Sequence, residues 1–168
     1  MRKIIRDGAI VVDDWLDLDA TAPIPPQGKI IVPLARWLEE KPALLARVPR
    51  GVGVRLGPDH DPFALASDLP ALALIAVEFP VFRDGRGYSI ARILRQHLGF
   101  RGELRAVGDV LRDQVFYLRR VGFNAFAPRP GLDPEQVLAG LNDFSDAYQP
   151  AADDIVPIWR RRQPAPVA

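Results

Sequence analysis

Short apolar runs alternate with stretches of helical periodicity along most of the chain. The runs at 29–33, 51–56, 71–79, 103–107 and 123–127 have the length of buried strands. Between them the pattern turns helical. Residues 35–41 form one amphipathic turn that Pro42 interrupts before a second at 43–47, and Asp61 ahead of Pro62 opens a short helix. From 86 to 98, Ile90, Ile93, Leu94 and Leu98 share a face, with Arg92, Arg95 and Gln96 opposite, and Gly99 stops the run. Asp109 is placed to cap a helix reaching Val121, which Gly122 ends in the left-handed conformation. Asp133 and Pro134 start a last helix, with Gln136 in a capping-box-like position and Val137, Leu138 and Leu141 on its apolar face.

The amino-terminal part reads differently. Two β-prone runs, 3–5 and 9–12, flank Arg6, Asp7 and Gly8, and an Asp-Gly pair in that setting signals a hairpin. Residues 15–27, with three prolines and scattered aspartates, read as an extended linker to about residue 28. The whole predicts one α/β domain over 1–150, a parallel sheet of about five strands built from βα units, followed by a Pro-rich basic tail at 151–168.

Three strands carry charge where a doubly wound sheet would bury both faces. Alternation puts Gly53 with Arg55, Ala76 with Glu78 and Glu103 with Arg105 on one side, and Val54, Val77, Leu104 and Ala106 on the other. A sheet curled like part of a (βα)8 barrel, with helices outside and Arg55, Glu78, Glu103 and Arg105 paired on the concave face, resolves the conflict. A flat sheet whose charges lie at strand ends and reach solvent is the competing arrangement.

Composition narrows the chemistry. With 22 basic and 21 acidic side chains the net charge is +1, which gives no field for nucleic acid. There is no cysteine, so thiol redox chemistry, disulfides and thiolate-held metal or iron–sulfur clusters are excluded. No cofactor motif is evident. No segment has the length of a membrane span and the first residues do not read as a secretory signal, so the expectation is a cytoplasmic protein.

In either parallel architecture ligands gather at the carboxyl ends of the strands. The richest loop there holds Arg83, Asp84, Gly85, Arg86, Gly87, Tyr88 and Ser89. Its glycines permit close backbone approach, a helix start follows, and two arginines could hold phosphate, sulfite or a carboxylate. The competing reading is a turn capped by Asp84 with arginines paired to nearby acids. Asp109, Asp113 and Gln114 form a second group, suited either to the same ligand or to a lock between two loops. Asp59, His60 and Asp61 have metal-ligand chemistry but suit helix entry better, so no metal site is assigned. His97 reads as a charge partner of its helix end. On the 109–121 helix, Phe116 falls opposite the apolar arc among Arg112, Arg119 and Arg120. That composition suits contact with a second copy of the chain or an acidic redox partner, with Trp159, Arg160, Arg161 and Arg162 as a further patch.

The segments FPVFRDGRGYS, GFRGELRAVGDVLRDQ and RRVGFNAF resemble the bacterial "domain of unknown function 934" (DUF934) family. At Asn124 the resemblance leads us to expect an acid. Family members are typically encoded beside assimilatory sulfite reductase and have been labelled oxidoreductases on that ground. The resemblance thus implies an accessory protein of sulfate assimilation that engages sulfite reductase or its electron donor. The residues themselves supply no self-sufficient redox motif. The alternative is a small α/β enzyme or binding protein for an anionic ligand at the 83–89 loop.

Overall fold

The computed structural model describes residues 2–47, 51–153 and 155–162. Eight strands form one mixed sheet: β1 (Lys3–Arg6), β2 (Ala9–Val12), β3 (Trp15–Asp17), β4 (Lys29–Pro33), β5 (Val52–Leu56), β6 (Leu74–Phe79), β7 (Glu103–Gly108) and β8 (Ala125–Phe126). Their order is β2-β1-β8-β7-β6-β5-β4-β3. Strands β4 to β8 are the five expected ones, all parallel and in sequential order. Because right-handed crossovers advance in one direction throughout, every connection lies on the same side of the sheet.

The expected all-parallel sheet of about five strands needs correcting at its edges. Asp7 and Gly8, with φ of 50° and 78°, turn the hairpin as Asp-Gly should, and its β1 then pairs antiparallel with β8. Residues 15–17, read as linker, form β3 and pair parallel with β4. Only Asp13 and Asp14 separate β2 from β3, yet these strands are the two opposite edges of the sheet. Laid flat, eight strands would hold their edges about 34 Å apart. Three residue steps from Val12 to Trp15 span at most about 11 Å. The sheet therefore curls until its edges meet, and Ala9 to Asp17 behaves as one bent strand, hydrogen-bonded to β1 in its first half and to β4 in its second.

Outside this curl lies the main core. Strand residues such as Val54, Val77 and Leu104 pack there with Trp37, Ile90, Leu94 and Leu118 from the helices. These are α1 (Leu34–Leu45), α2 (Arg86–Arg92), α3 (Val115–Arg120) and α4 (Pro134–Ala139), with a short α5 (Ile158–Arg161) further on. Pro42 lies inside α1 rather than breaking it; the carbonyl it leaves without a donor belongs to Leu38, which is 53% exposed and open to water. The segment opened by Asp61 is 3₁₀, with Asp61 accepting from the Phe63 amide at 3.0 Å. The run expected to be one helix over 86–98 changes at Ile93 into a π turn ending at His97. Gly122 takes the left-handed φ expected of it, 111°, and Gly99, expected to stop its run, does so with a φ of 68°. No helix among the described residues is long and apolar enough to cross a membrane.

Candidate functional site

Inside the curl a small apolar cluster, Ile31, Leu74 and Ala76 with Trp15 and Val107, is ringed by charge. The register aligns Arg55, Ala76, Arg105, Ala125 and Arg6 in one row across adjacent strands, so Arg55, Arg105, Glu103 and Glu78 share a face as their alternation requires. Their pairing follows the expectation for Glu103 with Arg105 and differs for Arg55 and Glu78. Arg105, 1% exposed, donates from Nε to Glu103 at 2.7 Å and from Nη1 to both oxygens of Asp13 at 2.9 and 3.2 Å. Its Nη2 lies 2.6 Å from Glu103 Oε1, near enough for attraction but off the hydrogen-bond direction. Arg6 stands 3.6 Å from the other Glu103 oxygen. Arg55 pairs with Asp17 at 2.5 Å and not with Glu78, which makes no ion pair with any described residue. Burial pushes the Asp17 carboxyl up, with the charge of Glu78 adding to it, against the pull of Arg55 and Arg2.

Asp13 and Asp17 are what sequence reading missed. The signal was the unbroken alternation Ala9, Val11, Asp13, Trp15, Asp17, which continues one strand face through the stretch taken for linker. Three arginines on the inner face call for more acids than its own strands carry.

At the carboxyl rim the 83–89 loop is bonded to itself and its neighbours. Asp84 accepts from the Arg86 amide at 3.1 Å, from Arg86 Nε at 3.0 Å and from its Nη2 at 2.7 Å, while Nη1 reaches Asp59. The Arg86 guanidinium holds the Asp84 carboxyl down at about 2. Asp84 thus occupies the helix entry where an anion would bind. Gly87 serves packing: a Cβ there would stand 2.5 Å from the Phe79 ring. Gly85 is open, and Arg83 and Ser89 are exposed. Tyr88 turns from the rim, stacking edge-on to Phe79 at 5.6 Å and lining a cleft of about 460 Å³ with Arg92, Tyr117 and Arg120. Burial, aided by the charge of Asp113, pushes its hydroxyl up to about 12.

Asp109 does not cap the next helix, because α3 begins only at Val115, after a turn at residues 112–114. Its carboxylate instead accepts from the Phe82 amide at 3.0 Å and from Arg129 at 3.1 Å. Gln114, 6% exposed, donates to the Phe82 carbonyl at 3.3 Å and accepts from the Leu111 amide at 2.8 Å. These two side chains lock the 80–85 loop to the 109–114 loop. Asp113 is exposed and makes no hydrogen bond to a described residue. His60 Nδ1 accepts from the Gly57 amide at 2.9 Å, and no metal-holding cluster exists among the described residues.

The α3 face requires a correction. Phe116, expected outside, is 4% exposed and packs against Phe144 at 4.9 Å, and Arg120 is 8% exposed. The reason is the chain beyond α4, which returns over this face: Arg120 bonds Asp153 at 2.9 Å and the Gln149 carbonyl at 2.5 Å. Arg112 pairs with Asp143 at 2.6 Å, and Arg119 lies over the Phe116 ring at 5.7 Å. The tail is thus docked at its start. Trp159 is 39% exposed beside Arg160, Arg161 pairs with Asp146, and residues 163–168 lie outside the described residues. Asn124 accepts from the Leu104 amide at 2.8 Å and from Arg95 at 3.1 Å and donates to Asp7 at 3.0 Å, bonds that need an amide rather than an acid.

The chain belongs to a bacterial protein family of unknown function, DUF934, whose family model matches residues 53–159. The match takes in β6 to β8 and the rim loops, and leaves out Asp13 and Asp17. No curated protein matches the chain.

Proposed function

We propose that the protein is a cytoplasmic accessory component of assimilatory sulfite reduction, acting by binding sulfite reductase or its electron supply. One observation carries the choice over an anion-binding enzyme: the rim arginines Arg86 and Arg129 and the helix entry are already taken by neighbouring acids. Arg86 is taken by Asp84 and Asp59, Arg129 by Asp109, and the first free amide of α2 by Asp84. In an arrangement like part of a (βα)8 barrel this is the edge where a ligand would sit. The link to sulfite reduction comes from the family, and the lack of cysteine fits a role in binding rather than in thiol redox chemistry.

The test is co-migration of the purified protein with purified sulfite reductase, and separately with its electron donor, on gel filtration. A shared peak is expected with one of them. Saturable sulfite or phosphate binding that is lost in Arg83→Ala, with no complex formed, would favour the anionic-ligand reading instead.

A further inference from the structure

The rim loops pair most of their charges but leave large apolar side chains in water. Phe63 is 50% exposed, Val81 49% and Phe82 49%. A single exposed apolar side chain needs no explanation. Here the backbone beneath is pinned on every side. Both peptide groups flanking the Phe82 side chain are held, its N–H by Asp109 and its C=O by Gln114. Asp109 is itself held by Arg129, and the Asp84 amide closes a turn on the Val81 carbonyl at 3.0 Å. Arg86, bonded to both Asp59 and Asp84, ties this loop to the one bearing Phe63, whose amide is capped by Asp61. Ordering of this kind removes in advance the conformational cost that a flexible loop meets on association.

The charge on the loops around these side chains identifies what fits them. The loops that leave β5, β6, β7 and β8 (57–61, 80–86, 109–114 and 127–133), with Arg86 at the start of α2 included, hold six aspartates against four arginines, a formal −2 in a chain whose total is +1. We infer that Phe63, Val81 and Phe82 dock into an apolar recess on a partner protein whose border is basic. This rests on the accessory reading and names its contact surface. Aromatic anchors surrounded by complementary charge set both the strength and the rate of such contacts.

The test compares the wild-type chain with Phe82→Ser, Val81→Ser and Asp113→Asn for binding to purified sulfite reductase and to its electron donor at low and high salt. Phe82→Ser should weaken binding roughly tenfold or more. Its melting temperature should stay close to wild type, with Val81→Ser giving the same direction if Phe82→Ser folds poorly. Asp113→Asn and added salt should each weaken binding by slowing association. Unchanged affinity in both apolar variants would overturn this surface while leaving the accessory reading intact. Loss of self-association rather than of partner binding would overturn it in favour of a second copy of the chain. If the wild-type chain binds neither protein, the accessory reading falls and this surface with it.

Discussion

Asp13 and Arg105 are 92 residues apart in sequence and 2.9 Å apart in space, and their contact lies where the sheet closes on itself. The Arg105 side chain is 2% exposed and that of Asp13 7%, so neither charge has water to fall back on. Asp13 stands at the bend between β2 and β3, which makes the ion pair a fastener of the curl. Such pairs are poor sources of net stability but costly to break on one side.

Asp13→Ala should therefore cost about 3 kcal/mol or more, because Arg105 keeps only Glu103 as a partner. Adding Arg105→Met should restore a good part of the loss, since the buried cation goes with its acid. Urea denaturation of the two single variants and the double variant measures this. Strictly additive losses would show that the two side chains do not act as a pair.

The glycines of the 83–89 loop separate packing from ligand access. A Cβ at Gly87 meets the Phe79 ring at 2.5 Å, whereas a Cβ at Gly85 meets nothing within 4 Å. Gly87→Ala should cost about 1–3 kcal/mol through overpacking. Gly85→Ala should stay within about 0.5 kcal/mol of wild type. Equal stabilities in thermal melts would remove the packing role given to Gly87.

Asp17 predicts a pH dependence of definite sign. Its folded pKa is raised from the ordinary 3.8, chiefly by burial, so the ionised form is the less favourable one in the fold. The raised carboxyl lowers stability once pH has risen through its folded pKa, and that penalty disappears below the unfolded value. Asp17→Asn should melt at or slightly above wild type at neutral pH, and the two curves should converge as pH falls below 3.8. A variant less stable than wild type at neutral pH would show that Arg55 depends on the charge more than burial penalises it.

The five parallel strands were legible because each is a short apolar run between helical periods, a signal set by local burial. The shared inner face of Arg55, Glu78, Glu103 and Arg105 was legible for a related reason: strand alternation is strict, and four charges at the same parity need a common environment. The acids that answer them were not. Asp13 meets Arg105 only where the curl closes, and Asp17 meets Arg55 only once β3 has joined the sheet beside β4; the alternation through 9–17 marks a strand but not where it goes. The Asp109 assignment failed through competition: the carboxylate went to the Phe82 amide of a neighbouring loop, and the helix starts only at Val115. At 83–89 the sequence held both possibilities, and the bond from the Arg86 amide to Asp84 is the one a capped turn makes.

The same competition governs Phe116. Helix geometry alone puts it opposite the apolar arc of α3, and that is correct for an isolated helix against a sheet. What changes its environment is residues 140–153, which cover the outer side of α3 and enclose the ring between Tyr117, at 5.2 Å, and Phe144, at 4.9 Å. Phe116 is 4% exposed as a result, while Tyr117 and Phe144 stay near half exposed. Phe116→Ser should then cost about 3 kcal/mol or more by removing a buried ring and leaving a hydroxyl in its place. The loss should loosen the docked segment as well, because the ring contact and the Arg120 bond to Asp153 hold the same stretch of chain. Hydrogen exchange at Ala152, whose amide bonds the Arg120 carbonyl at 2.9 Å, would report that loosening directly. A variant that keeps its melting temperature and its Ala152 protection would put Phe116 back on the surface.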